Sequence, residues 1–172
     1  GFTGRITMLT NDDSVPYDRT LLTKATAVGD PANWKLRSDQ YLADADIDVT
    51  LKTSVYSVNA AEKKVITTKG EHIKFDKLLI ATGSQVRVPD VKVTDLKGVF
   101  KLRTGADMLA IKAAVQSAKN VVVIGGSFIG SETAASLKMN FKDKIKIDIV
   151  NSGESLFNHS LGTEVGKMLQ KE

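Results

Sequence analysis

Residues 121–132 read Val-Val-Val-Ile-Gly-Gly-Ser-Phe-Ile-Gly-Ser-Glu, an apolar run that passes straight into a glycine-rich turn and then into a helical pattern. Few backbone arrangements accept that order. In the G-x-G-x-x-G pattern the first glycine, Gly125 here, makes the tight turn, and the third, Gly130, lets helix pack on strand. The helix N-terminus then presents backbone N–H groups suited to a pyrophosphate, which is the geometry of a dinucleotide-binding βα unit. Ser127 stands where the second glycine belongs. The same residues also allow a tight turn without a ligand.

The flanking sequence supports the first reading. Val121–Ile124 predicts a parallel strand buried on both faces, because its residues are continuously apolar. Phe128–Met139 places Ile129, Thr133, Ala134 and Leu137 at helical spacing, and Ile145–Val150 predicts the next strand. Strand, turn, helix and strand fit within about thirty residues, the length of a βαβ unit.

Elsewhere the chain alternates turns and short strands. Residues 1–10 predict a turn feeding a strand, and Asn11–Ser14 a polar turn. Pro16-Tyr-Asp-Arg19 begins a connection towards Leu21–Lys24. Strands are expected around Val49–Val58, then Val65–Thr68 after a turn at Ala60–Lys64, then Glu71–Phe75 after a turn at Lys69–Glu71. Together these make a small antiparallel meander. Asp76–Ala81 predicts a buried strand ending in Thr82-Gly83-Ser84. Pro89–Gly98 reads as a linker, and Thr104–Ser117 as a helix with Met108, Ile111, Ala114 and Val115 on one face. Leu161–Glu172 reads as a helix with no cap. Both ends look interrupted, so an internal piece of a longer protein is expected.

Composition removes several classes of function. Of the 172 residues 42% are hydrophobic, which is ordinary for a globular chain, and the net charge of +4 comes from interspersed residues. A nucleic-acid surface gains little support from such a pattern. With no cysteine, this stretch offers no disulfide, no thiolate metal site and no redox C-x-x-C. Electron transfer would need a bound cofactor. No apolar run is long enough to span a bilayer. His72, in a polar hairpin, and His159, in a loop, have no partner at metal-ligand spacing and read as surface residues, so no metal site is expected. Trp34 reads as a packing residue.

Four segments together carry a resemblance: Arg5-Ile-Thr-Met-Leu with Asp12 and Pro16-Tyr-Asp-Arg-x-x-Leu-Thr-Lys24; Phe75-Asp-Lys-Leu-Leu-Ile-Ala-Thr-Gly-Ser84; Leu102-Arg-Thr104 with Asp107; and the glycine turn with Glu132. In order and spacing the chain resembles the FAD-dependent pyridine nucleotide-disulfide oxidoreductases of the ferredoxin and rubredoxin reductase type, over nearly its whole length. It is most similar to their apoptosis-inducing-factor-3-like branch, in which a Rieske iron–sulfur domain often precedes the flavoprotein module.

The resemblance implies roles for particular residues. Asp12 would accept from the adenosine ribose of FAD; read alone it could equally close an Asx turn. Arg19 would offset pyrophosphate charge and Lys24 would stand near flavin N5, although each could be a solvated surface cation. The family's usual motif has proline and serine where Thr20 and Thr23 stand, which bears on the pose of Lys24. Val55 would meet the adenine through its backbone, or simply fill the meander core. Ala81, Thr82 and Gly83 would carry the chain past the FAD, or form a turn. Gly125, Gly126, Ser127, Phe128, Ile129 and Gly130 would line the NAD pyrophosphate, with Glu132 near the nicotinamide. Asn151, ending the second strand, replaces the acid that normally accepts from the ribose and rejects a 2′-phosphate, so NADH is favoured over NADPH only weakly.

The sequence thus predicts an α/β chain built of two partial Rossmann-like, glutathione-reductase-type domains with the meander in the first. Residues 1–103 would be FAD-binding and 104–172 NAD(P)H-binding, with Lys24 and Glu132 as the catalytic residues. The expected activity passes hydride from NADH to FAD and then single electrons to an iron–sulfur protein, such as a ferredoxin or Rieske domain, or to a quinone. A homodimer or larger assembly and a mitochondrial or cytoplasmic setting are implied by resemblance alone. A degenerate structural subunit and an NAD-sensing module are the alternatives.

Overall fold

The structure, a computed structural model, describes residues 3–87 and 96–171. Most of the predicted linker Pro89–Gly98 lies outside them. The chain is α/β and divides into two compact units that interleave in sequence: residues 1–17 with 32–86, and residues 18–31 with 87–172.

The first unit holds two small sheets. Strands β1 (Ile6–Leu9) and β2 (Ile47–Thr50) pair in parallel, Ile6 opposite Ile47 and Leu9 opposite Thr50, with an Arg5–Asp48 ion pair at one end. Helix α2 (Asp39–Asp44), capped by the Ser38 side chain accepting from the Tyr41 N–H, leads into β2. Strands β3 (Val55–Asn59), β4 (Lys64–Thr67) and β5 (His72–Lys74) form the antiparallel meander expected from the sequence. Val65 and Thr67, two apart on β4, point to the same side and are buried, as the two-residue period of a half-covered strand requires.

The second unit is built on β6 (Asn120–Ile124), α4 (Phe128–Phe141) and β7 (Lys146–Val150), with β6 and β7 parallel and in register from Asn120/Lys146 to Ile124/Val150. This is the βαβ unit read from the sequence. Its core joins Leu137 of α4, Ile145, Ala27 and Val115 of helix α3 (Gly105–Val115), and Val121, Ile147 and Phe141 pack against it. Helix α3 begins at a capping box: Asp107 N–H donates to the Thr104 hydroxyl, and the Asp107 carboxylate accepts from the Thr104 and Arg103 N–H groups. Helix α1 (Leu21–Lys24) lies against α4, and the turn after it is tied to α3 where Lys112 Nζ donates to the carbonyls of Val28 and Gly29. Helices α5 (Asn158–Leu161) and α6 (Thr163–Leu169) close the unit.

Several expectations need correction. Asp76–Ala81 is not a buried strand: it pairs with nothing among the described residues, and Leu79 is 88% and Ile80 69% exposed. An apolar run of this kind is a strand only when neighbouring strands supply the ladder and layers cover both faces. For the same reason β6 is parallel but not buried on both sides. Val122 and Ile124 are 59% and 67% exposed while Val121 and Val123 face the helices. Ile129 and Ala114 are exposed, so the apolar faces of α4 and α3 are narrower than their spacing implied. His159 lies in α5 and not in a loop, although it is exposed as expected.

Helix α4 also buries hydroxyls. Among the described residues, Ser131, Thr133 and Ser136 each carry a buried side-chain oxygen with no hydrogen-bond partner. A buried unsatisfied hydroxyl costs about 1–3 kcal/mol, and alanine is the better helix former. Ser136→Ala is therefore expected to stabilise the protein by about 1 kcal/mol in urea unfolding. A loss of stability would show that this hydroxyl has a partner in solution.

Candidate functional site

The residues singled out by sequence fall into two groups, one in each unit. In the first unit, Asp12 is buried and holds its own loop. Its Oδ1 accepts from the Asp13 N–H (3.0 Å), its Oδ2 from the Tyr17 hydroxyl (3.4 Å), and its carbonyl from the Lys52 N–H (2.9 Å). The Asp12 carboxylate thus bonds within its own loop, to the N–H of the next residue and to the Tyr17 hydroxyl. Val55 opens β3 opposite Thr67, next to an irregularity at Tyr56. Ala81, Thr82 and Gly83 lie outside any helix or strand and are exposed, and Gly83 has φ +68°, the left-handed region that favours glycine. Small exposed residues at a glycine bend allow close approach of a planar cofactor to the backbone.

In the second unit the glycine turn is built as the motif requires. Gly125 has φ +111°, and its N–H donates to the Val150 carbonyl (2.9 Å), continuing the β6–β7 ladder into the turn. A Cβ on Gly130 would lie 1.9 Å from the Gly125 carbonyl oxygen and 3.2 Å from Val123 Cγ1, so strand and helix meet at a distance only glycine permits. The first α-helical bond of α4 runs from the Ser131 N–H to the Ser127 carbonyl (2.9 Å). Helix geometry leaves the N–H groups before it without intrahelical acceptors, and Ser127 does not cap them with its side chain. The turn therefore fits a pyrophosphate: glycine contacts, outward N–H groups and the positive end of a 14-residue helix converge on it.

A second segment, 151–160, closes onto this turn. The Phe157 N–H donates to the Gly126 carbonyl (2.7 Å), and Phe157 meets the Phe128 ring edge-to-face at 5.2 Å. The Ser127 and Ser160 hydroxyls are 2.9 Å apart. A Cβ on Gly126 would strike Leu156 Cδ2 (2.8 Å) and Asn151 Cγ (2.9 Å). Asn151 is thus beside the turn. Its Nδ2 donates to the carbonyls of Ser155 (2.7 Å) and Gly153 (3.3 Å), which staples its own loop and leaves Oδ1 as the acceptor.

Helix α1 brings the last group to the same unit. Arg19 Nη1 donates to the Arg103 carbonyl (2.9 Å), and Lys24 is exposed in the last turn of α1. The Asp18 carboxyl is held below its ordinary range, first by the Thr20 hydroxyl, then by the Thr20 N–H, with a smaller contribution from Lys24. Half-buried Glu132 receives a hydrogen bond from the hydroxyl of buried Thr23. Among the described residues no ion pair joins Glu132 to Lys24. The sequence marks Thr23 only as a departure from the family's serine that bears on Lys24, and nothing in it singles out Phe157, Leu156 or Ser160. The Thr23–Glu132 contact joins residues 109 positions apart, and no local pattern encodes it. Among the described residues no group of His, Asp or Glu side chains could hold a metal ion, and no helix is long and apolar enough to cross a membrane.

A nucleotide cradle of this construction on a βαβ unit defines a dinucleotide-binding protein. The chain belongs to the pyridine nucleotide-disulphide oxidoreductase family, whose model matches residues 2–172. It is 31% identical over 173 residues to the biphenyl dioxygenase system ferredoxin–NAD(+) reductase component of Paraburkholderia xenovorans (strain LB400), covering 100% of this chain and 42% of that protein. It is 32% identical over 171 residues to human (Homo sapiens) apoptosis-inducing factor 3, covering 99% of this chain and 27% of that protein. Among solved structures it resembles a ferredoxin reductase from Rhodopseudomonas palustris with a TM-score of 0.90 and 27% identity, over 98% of this chain and 41% of that one. The chain spans less than half the length of each of these relatives.

Proposed function

We propose that this chain is part of an FAD-dependent NAD(P)H oxidoreductase, with residues 1–103 belonging to the flavin-binding domain and 104–172 to the nicotinamide-nucleotide domain. The observation that carries the reading is the Gly125–Gly130 turn at the N-terminus of α4, where a side chain on Gly130 would collide with the Gly125 carbonyl. Phe128, Ile129 and their neighbours Gly126 and Ser127 offer the pyrophosphate backbone donors and a hydroxyl. Asn151 offers the adenosine ribose an uncharged acceptor, so NADH is preferred without strong rejection of NADPH. Glu132 would stand beside the nicotinamide. Asp12, Arg19, Lys24, the backbone of Val55, and Ala81-Thr82-Gly83 would hold the flavin, with Lys24 near its reactive edge.

When bound, the flavin accepts hydride from NADH and gives up electrons singly to an iron–sulfur protein, here a ferredoxin or Rieske domain, or to a quinone. Support for an iron–sulfur acceptor comes from relatives named as ferredoxin or rubredoxin reductases and from a structural neighbour solved as a putidaredoxin reductase–putidaredoxin complex. The full-length protein is expected to be yellow and to bleach on anaerobic addition of NADH. A colourless protein, or a yellow one unaffected by NADH, would overturn the proposal. One observation favours a second reading, a structural subunit that kept the fold: Asn151 and Asp12 both engage their own loops. That reading predicts no bleaching.

A further inference from the structure

We propose that Thr23 is a positioning residue for Glu132: its hydroxyl, carried on α1, anchors the Glu132 carboxylate on α4 and fixes where that carboxylate stands. The inference rests on the reading of Glu132 as the residue beside the nicotinamide. Thr23 is buried and its Oγ1 donates to Glu132 Oε2; the Thr20 carbonyl lies farther off, at 3.3 Å from the same oxygen. A hydroxyl has one proton to give, and a carboxylate is a stronger acceptor than a carbonyl, so the bond goes to Glu132.

The surroundings make this contact the one that decides the pose. Glu132 is in the first two turns of α4, directly behind the glycine turn, and its neighbours Ser131 and Thr133 make no side-chain hydrogen bond. Among the described residues no cation pairs with it. A glutamate side chain has three rotatable bonds, and fixing it requires a partner that is itself fixed. Thr23 meets that requirement: it is β-branched, it is buried in the α1–α4 contact, and the next turn is held by the Thr26 hydroxyl donating to the Leu22 carbonyl at 2.6 Å. Lys24, next in sequence, is exposed, and its charge acts on the Asp18 carboxyl. Helix α1 thus holds the carboxylate of α4 through a neutral hydroxyl.

Two substitutions in the full-length protein separate this role from packing. Thr23→Val keeps the shape and removes the hydroxyl; Thr23→Ser keeps the hydroxyl and removes the methyl group. In stopped-flow reduction by NADH, Thr23→Val is expected to slow the saturating rate by about tenfold, the size of a lost hydrogen bond to a charged group, with Thr23→Ser within about twofold of wild type. The opposite ranking would overturn the proposal and make Thr23 a packing residue. Thermal unfolding of the flavin-free protein gives an answer independent of activity. Thr23→Val should lower the midpoint when Glu132 is present and leave it unchanged in a Glu132→Ala background, whereas equal shifts in both would contradict the contact. A protein that fails to bleach while showing this coupling would defeat the proposed function and leave the contact standing.

Discussion

Gly130→Ala is expected to abolish nicotinamide-nucleotide binding and to destabilise the full-length protein by about 3 kcal/mol or more, the upper part of the range for overpacked sites. The new Cβ would lie 1.9 Å from the Gly125 carbonyl oxygen and 3.0 Å from its carbon, and neither can swing aside as a flexible side chain could. Relief requires α4 to move off β6. That movement displaces the N–H groups that face the pyrophosphate and disturbs the packing of Leu137 and Val121 in the core below. Urea unfolding and NADH titration measure the two consequences separately. A variant with wild-type stability and affinity would mean that helix and strand do not meet as closely as the structure describes.

Asn151→Asp gives the second large effect, in a direction that the family pattern alone would miss. An acid at the end of the second strand normally accepts from the ribose hydroxyls and rejects a 2′-phosphate, so restoring it ought to sharpen preference for NADH. In this chain the Asn151 amide donates to the Ser155 carbonyl at 2.7 Å and the Gly153 carbonyl at 3.3 Å. Aspartate would set a carboxylate oxygen against those carbonyl oxygens, removing two donors and adding repulsion. The 151–157 loop, which carries Leu156 and Phe157 onto the glycine turn, should then open. NADH affinity is expected to fall by about tenfold or more, and to fall further than in Asn151→Ala, which removes the donor without adding charge. Tighter NADH binding by the aspartate variant would show that Asn151 acts on the ribose and not on its loop.

Both predictions turn on contacts of different legibility. The glycine turn could be read in the sequence because its requirements are local: a tight turn, a helix start and close strand–helix packing all fall within Gly125–Gly130. The β6–α4–β7 unit and the meander were readable for the same reason, since period and turn residues mark them. Leu78–Ile80 misled because an apolar run signals burial only relative to neighbours that cover it, and those neighbours are non-local. Helices α1 and α2, at 4 and 6 residues, are too short to display a helical period and were not foreseen. The roles of Asn151 and Thr23 depend on which atoms face them after folding. For Asn151 the residue type gave a hint, a donor in place of an acid; for Thr23 there was none.

The most direct test of the account is a crystal structure of the full-length protein with NAD bound. The pyrophosphate is predicted to lie within hydrogen-bonding distance of the backbone N–H groups at the start of α4, with the adenosine ribose beside Asn151 Oδ1 and the nicotinamide beside Glu132. Nucleotide bound elsewhere, with the Gly125–Gly130 turn making no phosphate contact, would contradict it.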